Sequence, residues 1–465
     1  MSVRDVLAVP RTVLLVSFIS LIALLFLNGL SLVSTDSAEL KRRITSGFAS
    51  GALIELDYAG NDLRRGTHQF NDCLILQSTI LGREDVPLWL LSARIVAHQP
   101  PCGMLARLAR DEAPETIELY DYHRYMFGAR PLTAWLVSVL DIDGARWAIR
   151  VSAYSLFFLA LLVPVLDMAG WAGRRSGRSP RLFLVGMILI AGTFLIFYRL
   201  QHFAQTFGHG FAEIVIGAYL LASALSGPPD REEIAVLRPI LFGTFTAWFE
   251  LLTGPAPIGL ILVMAVTAIG ATAQDTGRSI LRKVGWAVLG YAGALAATLA
   301  LKVLAAMIMA GPDSVSAFLV HLAIRLQLHL FLDLDIPHAW RDVGNMTLYT
   351  PWDVGRRLAE FLPSLAYDSA MTAWGVLAAA LLAAAGGTVA GMSHPVRRTQ
   401  CLVLLAAMML LPVWYLAFAN HTVIHAWWMV RMIPAGMAAG FLTLLCGLAP
   451  DAWRLPPVKL PEARP

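Results

Sequence analysis

The chain has 465 residues, 57% hydrophobic and 15% charged, with a mean hydropathy of +0.63. Soluble chains carry about 25% charged and roughly 45–50% apolar residues, so the composition excludes an ordinary soluble enzyme, a nucleic-acid binder and a disordered scaffold. The net charge of +4 is modest, and four cysteines exclude a small disulfide-stapled module. What remains is an all-α polytopic membrane protein with a single transmembrane domain over residues 1–465.

A membrane-crossing helix needs roughly 20 mostly apolar residues. The first such run, Arg11–Ser34, exceeds the roughly 7–15-residue apolar core of a signal peptide and precedes no clear cleavage site, so it is expected to stay as a helix. Further runs lie at 144–169, 182–200, 211–226, 238–252, 257–273, 284–309, 370–392, 399–419 and 427–449, which makes ten spans. With the N-terminus inside, segments 1–11, 170–181, 227–238, 274–283, 393–398 and 450–465 hold 16 of the 36 Lys and Arg. The short outer turns 201–210, 253–256 and 420–426 hold none. The positive-inside rule therefore predicts both termini on the inner side.

Two outer segments, 35–143 and 310–369, are too long to be mere connections. Phe70, Leu74, Ile75 and Leu76, then Leu88, Trp89, Leu90 and Leu91, predict short helices lying along the outer interface. The second segment does the same around 318–332 and 354–365. No internal repeat is visible, which gives no support to an inverted-repeat transporter. Cys73 and Cys102 share the first outer segment, so they either form a disulfide or stay free and buried; Cys401 and Cys446 are expected to remain reduced.

Ionisable side chains at the edge of a membrane are costly, so their placement is informative. Arg199, His202, His209 and Glu213 flank the turn between spans 3 and 4, and Glu250 ends span 5. Lys302 lies in the outer half of span 7, while Asn420, His421, His425 and Arg431 flank the turn between spans 9 and 10. Taken singly, each such residue can snorkel to headgroups or cap a helix. Together they bring polar groups to one depth on one side. His421 and His425 share a helical face, but no third ligand is spaced nearby, so no metal or other cofactor is expected. Arg431 suits a phosphate held at headgroup level. The first outer segment supplies acids: Asp36, Glu39, Glu55, Asp57, Asp62, Asp72 and Asp121. Asp72 either caps the helix that follows it or faces a site above the bundle.

A first span followed by a long outer segment with interfacial helices resembles the GT-C superfamily of polyprenyl-phosphate-sugar glycosyltransferases. Arg130-Pro-Leu-Thr-Ala-Trp-Leu, followed by Arg150, is similar to the junction that leads those enzymes into span 2. Three stretches resemble a group of poorly characterised bacterial members. They are Tyr122-His-Arg-Tyr-Met-Phe-Gly-Ala-Arg-Pro-Leu, Trp248-Phe-Glu-Leu-Leu-Thr-Gly-Pro and Asn420-His-Thr-Val-Ile-His-Ala-Trp-Trp-Met-Val-Arg. The first departs from the pattern with Met126 and Phe127 in place of Trp and His. The others keep charge and hydroxyl, with Glu250 for Asp and Thr422 for Ser.

The resemblance implies a glycosyltransferase of the bacterial inner membrane with its active site facing the periplasm. A polyprenyl-phosphate sugar would be the donor, and a glycan, lipid or protein the acceptor, without nucleic acid. The catalytic base would be Asp72, with Asp57 as its rival. Arg431, with Arg325 or Lys302, would hold the phosphate. His421, His425, Glu250, Asn420, His123, Arg124 and His209 would line the donor and acceptor pocket. Two other readings stay open: a lipid-linked glycan polymerase or ligase, and a transporter or flippase of a lipid-linked precursor.

Overall fold

A computed structural model describes residues 3–58, 64–66, 69–86, 90, 93–96, 99–112, 117, 119–122, 128–171, 179–228, 232–249, 254–272, 274–331, 347–366 and 369–454. The expected site residues His123, Arg124 and Glu250 lie outside them, as do Asp62, Leu88, Trp89 and Leu91. All ten apolar runs form helices: α1 (Val3–Ser34), α6 (Ile142–Met168), α7 (Arg181–Phe197), α9 (Gly210–Ser226), α10 (Glu232–Phe249), α11 (Pro255–Ile269), α12 (Gly277–Ala310), α15 (Ala370–Gly391), α16 (Pro395–Ala417) and α19 (Ile433–Leu448). Six segments are long and apolar enough to cross a membrane, the last being Ala426–Leu448 as a whole; the helices at 181–197, 210–226, 236–249 and 255–269 are shorter. The chain is a helical, multi-pass membrane protein.

The long and short helices divide the work. Along α1, Leu14, Phe18, Ile22 and Phe26 recur every four residues and are exposed, while Val13, Ser17, Leu21, Leu24, Asn28 and Ser31 are buried on the opposite face. The exposed face is as apolar as the buried one, which is what a lipid-facing helix requires. By contrast, α11 is buried nearly all round, and it packs beside α12, α16, α10 and α19. Short helices therefore fill the centre of the bundle, and longer ones face lipid.

The segment after α1 folds into a small second core at one end of the bundle, here termed the mouth. It comprises α2 (Ser37–Ala49), α3 (Phe70–Ile80), α4 (Pro101–Ala109) and α5 (Ala129–Val139). Leu40, Ile44, Leu53, Leu76, Leu105 and Val137 meet there, and the core continues into the bundle through Ile142, Ile149 and Phe207. The Asp36 side chain caps α2 by accepting from the Ala38 N–H at 3.1 Å. Asp141 does the same for α6, accepting from the Gly144 N–H. An antiparallel ribbon of β1 (Ala93–Val96) and β2 (Leu119–Tyr122), with Arg94 opposite Asp121, is an exception to the all-α expectation. Its Ile, Val and Tyr residues favour extended backbone.

Cys73 and Cys102 are disulfide-bonded, joining α3 to α4, and Cys401 and Cys446 are buried thiols. Replacing both bonded cysteines with Ser releases a crosslink spanning 29 residues, and roughly 3–4 kcal/mol of stability is expected to be lost. Thermal unfolding with and without reductant checks this. The wild type should fall to the level of the variant only when reduced.

In the second long segment, α13 (Asp313–Arg325) and α14 (Pro351–Phe361) overlap the helices predicted around 318–332 and 354–365. A capping box formed by Thr350 and Asp353 starts α14. The predicted span at 427–449 departs from a single straight helix. Two short helices, α17 (Ala419–Ile424) and α18 (Ala426–Met429), and a 3₁₀ turn precede α19. Pro434 at the start of α19 offers no N–H to continue the preceding turns.

Candidate functional site at the mouth of the bundle

Two re-entrant turns meet at the mouth: residues 199–213, which include α8 (Leu200–Phe203), and residues 418–432. Arg199 starts the first in the left-handed region (φ 53°), and its Nη2 lies 2.7 Å from His202 Nε2. His209 packs at a tilt against Trp428 with ring centroids 3.6 Å apart, and its Nε2 hydrogen-bonds the Asn71 side chain of α3. Glu213 and Arg431 form an ion pair at 2.8 Å with both side chains fully buried. Arg431 also lies over the rings of Trp428 and Phe203, at 4.1 and 5.6 Å. Gly254 allows this close packing, because a Cβ there would stand 2.8 Å from Arg431 Nε.

Arg431 is thus buried within the bundle. It is enclosed by Glu213 and aromatic rings, so its guanidinium joins spans rather than presenting itself to a ligand from outside. His209 is buried in the same packing and does not line an open pocket.

Asp72 lies in the first turn of α3 and is not its N-cap, a position taken by Gln69. Its Oδ2 accepts from Arg146 Nε and Nη2 at 3.0 and 2.6 Å, and its Oδ1 accepts from the Phe207 N–H at 2.7 Å. Arg146 also donates to the Ala52 carbonyl at 2.7 Å. One buried ion pair therefore holds α3, α6, the 199–213 turn and the end of the loop after α2 together. A carboxylate with this many partners is poorly placed to take a proton from a substrate.

Asp57 is placed differently. It is half-buried on the loop leading to α3, and its Oδ1 accepts from the Cys102 N–H at 2.9 Å. Its carbonyl accepts from the Gln69 and Phe70 N–H groups, so the residue is anchored through backbone on both sides. Burial raises the Asp57 carboxyl above its ordinary range, with the Cys102 N–H opposing. The neighbouring Tyr58 lies edge-on to Trp427, with centroids 6.1 Å apart, and stacks on Phe70 at 6.3 Å. Asp57 thus stands where the first long segment meets the 418–432 turn.

On that turn, His425 is partly exposed and faces Trp427 edge-on, and His421 packs against His425 with centroids 4.5 Å apart. Asn420 Oδ1 accepts from Arg325 Nη1 of α13 at 3.1 Å. A run of ring contacts, Tyr58–Trp427–His425–His421, connects the residue after Asp57 to the turn on which Asn420 meets Arg325, and these residues are termed the rim. Two other acids of the first segment are engaged by ion pairs: Glu39 by Arg42 and Arg43, and Glu55 by Arg110. Among the described residues no group of three His, Cys, Asp or Glu side chains is arranged to hold a metal. Lys302 is buried within α12, apart from this rim.

Sequence reasoning overlooked Asn28, Asn71, Tyr58 and Arg146. Asn28 carried a usable signal, a lone amide in an otherwise apolar first span, whereas Tyr58 and Arg146 looked like ordinary loop and helix-end residues. Comparison with protein families, with curated proteins and with solved structures finds no match to this chain.

Proposed function

We propose that the chain is a membrane glycosyltransferase of the GT-C type, with ten spans, both termini inside and its mouth on the periplasmic side of a bacterial inner membrane. It would move a sugar from a polyprenyl-phosphate donor to a glycan, lipid or protein acceptor. The single observation that carries this reading is the rim pairing: a half-buried carboxylate, Asp57, on one side and the Arg325–Asn420 pair with His421 and His425 on the other. Such a rim suits inverting transfer. Asp57 takes the proton of an acceptor hydroxyl, the oxygen bonds to the sugar's anomeric carbon, and the bond from that carbon to the phosphate oxygen breaks. The polyprenyl phosphate leaves with its charge stabilised by Arg325.

Asp57→Asn is expected to lower transfer by about 100- to 10,000-fold while leaving the thermal unfolding midpoint close to wild type. Because the base works only when ionised, activity is present above the carboxyl's pKa and is lost as pH falls through it. With that pKa raised by burial, the acid limb should lie above the ordinary aspartate value of about 4. Sugar transfer measured in membranes across pH checks both statements. Normal transfer by Asp57→Asn would remove the assigned base. A single-sugar product separates this reading from a polymerase or ligase, which would extend chains or add blocks.

A further inference from the structure

At the rim, two aromatic side chains from distant parts of the chain meet almost at a right angle. Tyr58 and Trp427 have ring centroids 6.1 Å apart and planes at 86°. Each is backed by a second ring: Tyr58 stacks on Phe70 at 6.3 Å, and Trp427 meets Trp428 edge-on at 5.5 Å. In α18, Ala426, Trp428 and Met429 are buried, and Trp427 is the one residue of that turn that is partly exposed. Tyr58 is 58% exposed despite its neighbours. The two rings therefore make a backed corner whose Tyr58 side is open.

An exposed aromatic side chain in a membrane protein is commonly an anchor in the headgroup layer. The polar groups around this corner argue for another role. Asp57 precedes Tyr58, Glu55 is exposed two residues earlier, and His425 lies edge-on to Trp427 with centroids 6.4 Å apart. Carboxylates beside the ring repel anionic headgroups. A cation held against the rings would need acceptors alone, whereas here acceptors and donors are mixed. The Asp57 carboxylate accepts, while the Tyr58 hydroxyl and the His425 ring can donate. Burial, and then the Asp57 charge, raise the Tyr58 hydroxyl above its ordinary range, so it keeps its proton. A hydrocarbon chain would match the rings but leave the carboxylate and the imidazole without hydrogen-bond partners. A pyranose ring matches both. Its C–H bonds, polarised by the neighbouring oxygens, suit the negative face of an aromatic ring, and each of its hydroxyls both donates and accepts.

We propose that Tyr58 and Trp427 form a stacking platform for one neutral pyranose ring, whose hydroxyls meet Asp57 and His425. That this ring belongs to the acceptor rests on the proposed sugar transfer, and it selects a glycan over a protein or a bare lipid. The platform itself does not depend on transfer.

The test uses the full chain in nanodiscs of neutral lipid, with cellobiose, mannobiose and N,N′-diacetylchitobiose as probes and choline as a rival cation, read by saturation-transfer NMR. At least one disaccharide is expected to bind the wild type, with saturation strongest on the C–H groups of one ring face. Tyr58→Ala and Trp427→Ala should weaken that binding about 10- to 100-fold. Tyr58→Phe keeps the ring and should lose less than Tyr58→Ala. Because Tyr58 is exposed, Tyr58→Ala should keep its unfolding midpoint near wild type, and it carries the test if Trp427→Ala does not fold. Failure of all three disaccharides to bind would overturn the proposal. So would binding of choline alone, or disaccharide binding unchanged in Tyr58→Ala. Disaccharide binding that needs both rings, in a protein that transfers no sugar, supports the platform and removes the transfer reading. Sugar transfer undiminished in Tyr58→Ala overturns the platform and leaves the transfer reading standing.

Discussion

Replacing Asp72 by Ala is expected to destabilise the protein by about 3–5 kcal/mol, because it leaves the Arg146 guanidinium buried without its counter-charge. The pair is closed at 2.6 Å with both side chains almost fully inaccessible. Arg146→Met should cost a similar amount for the mirror reason. The double variant Asp72→Ala with Arg146→Met removes both charges, and it should recover part of the loss. Recovery should not be complete, since the Phe207 N–H and the Ala52 carbonyl lose their partners, at about 1–3 kcal/mol for each unsatisfied group. Unfolding midpoints of the four proteins give the coupling directly. Additive losses would show that the two side chains do not depend on one another. Transfer by a folded double variant would place Asp72 outside the chemistry.

The second large effect lies at Arg431. Arg431→Met strands Glu213 as a buried carboxylate, and the expected loss is again about 3–5 kcal/mol. The cation–ring contacts with Trp428 and Phe203 add up to about 2 kcal/mol. Glu213→Gln should cost less, since its amide oxygen still accepts from Arg431 Nη1. Arg431→Lys should rescue little, because an ammonium neither spreads its charge over the rings nor offers a planar fork. Thermal unfolding ranks the three. A mild Arg431→Met would mean that the guanidinium is held in place for a ligand rather than for the fold.

These two pairs mark the limit of what the sequence could say. The ten apolar runs were readable because lipid imposes one requirement along each run, and that requirement is local. Two of the central helices are shorter than the runs suggested, Pro255–Ile269 against 257–273 and Arg181–Phe197 against 182–200. There the backbone turns at Arg199 in a conformation no hydropathy pattern encodes. Asp72 and Arg146 are 74 residues apart, and Glu213 and Arg431 are 218 apart. Asp72, Glu213 and Arg431 were conspicuous alone as costly charges, and a costly charge reads as a ligand-binding group until its partner is known; Arg146 was not conspicuous at all. The proximity of His421 and His425 needed only helix spacing and was readable. The Arg325–Asn420 contact joins two outer segments and was not. Asp57 was available as a rival base, but its anchoring by Cys102 and by the α3 backbone depends on how the long segment folds back on itself.

The central placement of the short helices has a geometric consequence. At 1.5 Å per residue, α7, α9 and α11, with 17, 17 and 15 residues, reach only about 22–26 Å, whereas the hydrocarbon layer is about 30 Å thick. Neighbours such as α1 and α12, with 32 and 34 residues, are longer than the layer is thick. In a bilayer level with the far ends of the short helices, the shortfall would make the polar end of the bundle a basin sunk roughly 4–8 Å below the lipid surface. A headgroup beside the protein would then sit above the polar floor instead of level with it. Bilayer thickness becomes a lever on the whole molecule, since thinner lipid would flatten the basin and thicker lipid would deepen it.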